Sequence, residues 1–322
     1  MTNRRHFLTS CAGALCVLPV PALAAAGTGK IRFGLITDIH QDVMHDGPER
    51  LSRFIAAMKE EKVDFIVQLG DFCVPHERNR AFLDEWNKFS GPRYHVLGNH
   101  DTDGGYKREQ AVAFLGMPGR FYRFDQGGIR FLALDGNDRG GTTKGYPKFI
   151  AADQIDWLKR ELDEATMPVI VLIHQPLESA GGVDNGEQVR GLLETSRRDG
   201  RPGVAAVLTG HLHLDYVRRI NGIPHIQFNS ASYVWLPGND RRKIYDEAAH
   251  KAHPYLDHVA PYRDPLWAVV TLDKSAGTLS IKGRRTEWVG PDPWERKAPE
   301  KDYPRDITRP AISDWSGKWT GE

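Results

Sequence analysis

The sequence predicts an α/β fold with a parallel or mixed sheet flanked by helices, on two observations. Short apolar runs of strand length alternate with longer amphipathic segments, and several of those runs stop at Gly, Asp, Asn or His. Ile31–Thr37, Phe65–Leu69, Arg93–Leu97, Val169–Ile173 and Val204–Leu208 read as strands. Between the first two, Pro48–Glu61 reads as a helix, with Leu51, Phe54, Ile55 and Met58 at helical spacing and Pro48 in the first turn. Asn79–Phe89, Ala152–Ala165 (burying Ile155, Trp157, Leu158 and Leu162) and Gly186–Arg198 read as three more helices. Two hairpins are expected, Phe121–Asp125 with Ile129–Asp135 across Gln126-Gly127-Gly128, and Leu214–Ile220 with Pro224–Asn229 across Asn221-Gly222. Leu266–Leu272 and Thr278–Arg284 form a last strand pair. Residues 235–265 are polar and without a clean period, and residues 291–322, rich in Pro, charge and Trp, read as an extended tail packed on the domain. With no repeat or low-complexity linker, residues 25–290 read as one domain.

Composition narrows the partners. Over 322 residues, 43 Lys and Arg oppose 42 Asp and Glu, a net charge of +1, which gives no electrostatic footprint for duplex nucleic acid or an anionic membrane. The 40% hydrophobic content is enough for a large core.

The first 24 residues read as a leader. Asn3-Arg4-Arg5-His6-Phe7-Leu8 resembles the twin-arginine export motif, followed by an apolar run to Val20 and an Ala22-Leu23-Ala24 cleavage pattern. A run of about 14 apolar residues is short of the roughly 20 that a spanning helix needs, and Cys11 follows the arginines too closely for a lipoprotein signal. The mature chain is therefore expected in the periplasm or outside the cell, without a membrane span. Loss of Cys11 and Cys16 would leave Cys73 alone, so no internal disulfide is expected. Cys73 itself reads as a small buried hydrophobe.

Five blocks carry chemistry: Asp38-Ile39-His40, Gly70-Asp71, Gly98-Asn99-His100-Asp101, His174, and Gly210-His211-Leu212-His213. Any one alone is ordinary turn composition or a structural histidine. Each, however, follows a strand-length apolar run, and strand ends of one polarity lie along one sheet edge, where ligand sites form. Imidazole and hard oxygen without thiolate suit manganese, iron, zinc or cobalt.

The five blocks, in this order, resemble the calcineurin-like metallophosphoesterases, including their bacterial cyclic-nucleotide phosphodiesterase branch. The resemblance implies a four-layer αββα sandwich of two mixed sheets flanked by helices, with two divalent metal ions at its edge. It implies that Asp38, His40, Asp71 and His213 hold one metal, that Asp71, Asn99, His174 and His211 hold the other, and that Asp71 bridges them. A bridging hydroxide would attack phosphorus in line while both cations neutralise the phosphate. His100 would protonate the leaving oxygen, oriented by Asp101. Two departures stand out: Val74 occupies the position of the metal-binding Tyr of purple acid phosphatases, and Gln175-Pro176 follows His174 where many relatives have a second His.

The implied function is hydrolysis of a small phosphate ester, nucleotide or lipid-derived, with diester or pyrophosphate-type substrates favoured. A scavenging phosphomonoesterase and a non-catalytic metal-bound scaffold are the competing readings. His76 is a candidate for lining the pocket, and the tail tryptophans Trp288, Trp294, Trp315 and Trp319 read as packing rather than as a substrate platform.

Overall fold

The computed structural model describes residues 29–319 apart from Thr143, residues 197–200, Pro237 and residues 239–240; the leader lies outside the described residues. The chain runs β1 (Lys30–Ile36), α1 (Gly47–Glu60), β2 (Phe65–Gln68), α2 (Arg80–Asn87), β3 (Arg93–His95), α3 (Arg108–Leu115), β4 (Tyr122–Gln126) and β5 (Ile129–Ala133). It continues α4 (Ala152–Asp163), β6 (Val169–Leu172), α5 (Gly186–Thr195), β7 (Val204–Thr209), β8 (Tyr216–Ile220), β9 (Ile223–Gln227) and β10 (Tyr233–Trp235). Last come α6 (Glu247–Ala252), β11 (Val259–Pro261), β12 (Ala268–Asp273), β13 (Thr278–Lys282) and β14 (Trp315–Lys318).

Two six-stranded mixed sheets result, ordered β14-β13-β12-β1-β2-β3 and β4-β5-β6-β7-β9-β8. In the first, β1, β2 and β3 are parallel and the others antiparallel. In the second, β5, β6, β7 and β9 are parallel, with the hairpin partners β4 and β8 antiparallel at the edges.

Alternation along the strands builds the layers. Phe131 and Ala133 of β5 and Ile170 and Leu172 of β6 pack with Phe33, Leu35, Phe65 and Val67 of the first sheet. Their neighbours Leu132, Val169 and Val171 turn the other way, onto Leu158 and Leu162 of α4 and Val189 and Leu193 of α5. Aromatic rings join the sheets: Phe33 stacks on Phe65 at 4.8 Å, and both meet Phe131 edge-on at 5.8 and 5.4 Å. On the far side, Phe54 of α1 lies 6.1 Å from Trp86 of α2. The fold is the expected sandwich, helices outside and two sheets within.

Several bounds differ for local reasons. The second helix begins as a 3₁₀ turn, Glu77–Asn79, in which the Arg78 amide donates to the His76 ring at 3.0 Å. The helix α3 follows Gly98-Asn99-His100-Asp101 too closely to show as a separate amphipathic period; Ala111 and Leu115 are its buried residues. The polar stretch 235–265 holds α6, a 3₁₀ turn and β11, which pairs with β10. The segment read as an extended tail turns repeatedly and ends in β14, an edge strand of the first sheet. Its tryptophans do pack: Trp319 is buried, and Trp288 and Trp315 lie against the core. Cys73 is buried and unpaired. No helix among the described residues is long and apolar enough to cross a membrane.

Candidate metal centre

Parallel strands β1, β2 and β3 of one sheet, and β6 and β7 of the other, end in the five blocks. The loops beyond them are tied together by backbone bonds: Asp38 N to Gly70 O, His40 N to Asp71 O, and Gly210 N to His174 O, each 3.0 Å. Five of the eight non-glycine residues with left-handed φ among the described residues are Asp38, His40, Asp71, His211 and His213. That conformation costs a non-glycine residue roughly 1–2 kcal/mol, so its clustering marks backbone bent to aim side chains. Glycine makes the crowding feasible. At Gly70 (φ 101°) a Cβ would sit 2.5 Å from His174 Nδ1, and at Gly98 one would sit 2.2 Å from Asp71 N.

Two groups of donors converge, Asp38 with His40 and His213, and Asp71 with His174 and His211; within each, the ligand atoms lie within 4.8 Å of one another. His174 Nδ1 donates to Leu69 O and His213 Nδ1 to Tyr233 O, both at 2.7 Å, which turns each Nε2 inward. His174 Nε2 lies 3.1 Å from Asp71 Oδ2 yet makes no well-directed hydrogen bond, and Asn99 Oδ1 is buried without a partner. Two buried polar atoms are thus left unsatisfied beside a carboxylate, an arrangement that a bound cation would resolve. Burial disfavours a charged His174 ring, but Asp71 and Asp38 outweigh it and raise its pKa to about 9. Burial also pushes on Asp71 and Asp38, whose neighbouring histidines nonetheless hold both well below the carboxylate range. Burial, with His174 beside it, lowers His211 to about 3. The residues fit a divalent cation at each group.

His100 and Asp101 follow Asn99 in a short 3₁₀ stretch, His100–Gly105. The His100 amide donates to Asp71 Oδ1 at 2.8 Å. Asp101 does not orient the ring. Its carboxylate is buried beneath the loops, where it accepts from the amides of Phe72, Cys73 and Gly98 at 2.7, 3.0 and 2.8 Å. Burial, together with Asp71, pushes its pKa up to about 7 against those bonds. The group on the ring is Asp103, whose Oδ2 is 2.6 Å from His100 Nδ1. Asp103 was not a sequence candidate because a second Asp before Gly104-Gly105 reads as turn composition.

Two clefts open beside the centre. One of about 510 Å³ adjoins Asn99 and includes Lys107, Arg108 and Arg139. The other, about 600 Å³, is walled by His76, His100, Tyr106, Tyr146, Trp235 and Tyr255. His76 does line this cleft. Tyr146 and Tyr255 are 43% and 61% exposed, so the cleft rim presents bare aromatic faces to solvent.

Sequence comparison places the chain. A 3′,5′-cyclic-nucleotide phosphodiesterase of Nostoc is 26% identical over 274 residues, 75% of this chain and 97% of the relative. A manganese-dependent ADP-ribose/CDP-alcohol diphosphatase of Arabidopsis thaliana is 29% identical over 161 residues, 41% of this chain and 51% of that protein. Among solved structures, a dimetal phosphatase from Danio rerio shares the fold with a TM-score of 0.58 at 17% identity, covering 80% of this chain and 98% of its own. Residues 31–215, which contain all five blocks, match the calcineurin-like phosphoesterase (Metallophos) family, and the chain belongs to that family.

Proposed function

We propose that the protein hydrolyses phosphate esters with two divalent cations, one held by Asp38, His40, Asp71 and His213, the other by Asp71, Asn99, His174 and His211. The observation that carries this is the pair of buried groups of imidazole and carboxylate ligand atoms, beside which His174 Nε2 and Asn99 Oδ1 are buried without a hydrogen-bond partner. When bound, the cations supply Lewis-acid neutralisation of the phosphate and an acidified water. The chain does the rest. Asp71 spans the two groups, while neutral Asn99 adds a donor without repelling an anionic substrate. His100, at the cleft, is placed to donate a proton to the leaving oxygen.

Diester or pyrophosphate-type substrates are favoured over monoesters. One cleft adjoins the centre at Asn99 and another at His100, which leaves room for more than one substituent on a phosphorus held there. The aromatic wall suits a planar ring. The named activities of the Nostoc and Arabidopsis relatives, on a cyclic diester and on diphosphates, agree with that choice.

The test is hydrolysis of an aryl phosphodiester against the matching monoester by protein stripped and reloaded with manganese, with Asp71→Asn as blank. Faster diester cleavage, lost in the blank, is expected. Faster monoester cleavage would make the protein a phosphatase, and a metal-loaded chain silent on both would make it a scaffold. Export through the leader is part of the proposal; Arg4→Lys with Arg5→Lys should trap the precursor inside the cell in a fractionation assay.

A further inference from the structure

Building on the assignment of His100 as the proton donor, we infer that Asp103 and Tyr146 are its positioning residues, a pair supplied by two loops outside the metal-ligand blocks. Asp103 sits at a kink. It has φ −58° and ψ 156°, outside helical geometry, and Gly104 follows at φ 75°. Before the break, the turn sets Asp103 three residues after His100 and beside its ring, with Oδ2 2.6 Å from His100 Nδ1.

Tyr146 arrives from the glycine-rich loop, immediately after Gly145 at φ 101°. Its hydroxyl donates to Asp103 Oδ1 at 2.7 Å and lies 3.2 Å from His100 Nδ1. The two carboxylate oxygens of Asp103 are thus divided, one for the imidazole and one for the phenol. Since Nδ1 is occupied by this pair, Nε2 is the nitrogen left to face a substrate oxygen. Ring packing fixes the plane as well: His100 has Tyr146 at 4.8 Å, His40 at 5.2 Å and Trp235 at 5.9 Å. A residue that only aligns a proton donor matters in proportion to how much the leaving oxygen needs the proton. An acidic phenol departs without help, whereas an alkoxide does not.

The experiment uses the manganese-loaded full chain and phosphodiesters whose leaving group runs from p-nitrophenol through phenol to a simple alcohol. His100→Gln should lose about 10²-fold on the alcohol leaving group and under ~3-fold on p-nitrophenol. Asp103→Asn and Tyr146→Phe should show the same leaving-group dependence in kcat, the second more weakly, with KM little changed. Asp103→Glu should recover part of the loss. Equal loss across the series, or a change in KM alone, would overturn the inference. If His100→Gln itself shows no leaving-group dependence, the donor assignment falls and the positioning role with it.

A second readout does not need turnover. In the zinc-loaded protein the His100 Nδ1 proton, assigned by its absence in His100→Gln, should appear as a downfield, slowly exchanging NMR signal. Asp103→Asn and Tyr146→Phe should shift it or broaden it away; an unmoved signal would overturn the inference. Should the signal respond while the unaltered chain hydrolyses nothing, the positioning pair stands and the phosphoesterase reading fails.

Discussion

Two buried clusters of acids lie within the same sandwich and differ in what completes them. Beneath the loop after β5, Asp135 and Asp138 are met by guanidinium groups: Arg108 Nη1 donates to both at 2.6 and 2.7 Å, and Arg120 donates to Asp138 at 3.0 Å. Backbone amides of Asn137 and Ala151 take further oxygens at 3.0 and 2.8 Å. At the strand ends, Asp38 and Asp71 face imidazole nitrogens that are already committed, through Nδ1, to carbonyl oxygens. The first cluster satisfies itself; in the second, His174 Nε2 and Asn99 Oδ1 are buried without a hydrogen-bond partner. Buried carboxylates alone therefore do not mark a functional site, and the informative feature is an acceptor with nothing to accept from.

The strongest test of the contrast is Asp71→Asn, which should lower metal-dependent hydrolysis by about 10³-fold or more while leaving the thermal midpoint of the metal-free protein unchanged or higher. A matching loss of folding in the metal-free variant would mean that Asp71 is structural in the way Asp138 is. The opposite behaviour is expected of Asp138→Ala. Removing it leaves Arg108 with Asp135, and Arg120 with Asp135 and the exposed Asp153, at a cost of about 3 kcal/mol seen in denaturant unfolding. Its manganese stoichiometry should stay that of the unaltered chain; loss of metal would join the two clusters into one functional unit.

A smaller effect isolates a buried titrating group that belongs to neither cluster. Burial, with Arg93 nearby, lowers His95 from 6.5 to about 3. The unfolded chain therefore binds the proton first, and stability is lost as pH falls from about 6.5 towards 3, by up to ~1.4 kcal/mol per pH unit. His95→Gln, measured in chelator so that the metal centre does not titrate its own ion, should flatten this acid limb. An unchanged slope would assign the acid sensitivity to the strand-end histidines instead.

Much of this architecture was legible along the chain. Val169–Ile173 and Val204–Leu208 are apolar without a break, because their strands are covered on both faces, and that pattern needs no tertiary information to read. The five blocks were legible for a related reason. A ligand at the end of a parallel strand stands directly after an apolar run, so its place in the fold is encoded by its neighbours in sequence. The orientation of His100 was not. Asp101 is adjacent to it and was the natural partner, yet its side chain turns inward to three backbone amides, while Asp103, one turn on, meets the ring. Tyr146 is 46 residues away from His100 along the chain and carries no periodic signal of its own. Nor did residues 315–318 read as a strand, since Trp-Ser-Gly-Lys alternates weakly and its pairing with β13 is supplied across the sheet edge.

Beyond the sandwich that the family resemblance implied, the sequence by itself thus determined the alternation of strands and helices, the order of the strands that bear ligands, and the donor types gathered at their ends. These follow from hydrophobic period and from residue chemistry, both local properties. Only the tertiary structure decided which carboxylate touches which imidazole, which buried acids are neutralised from within, and which aromatic faces are left bare at the cleft. Those are facts of distance and direction, set where loops far apart in sequence meet, and no local pattern carries them.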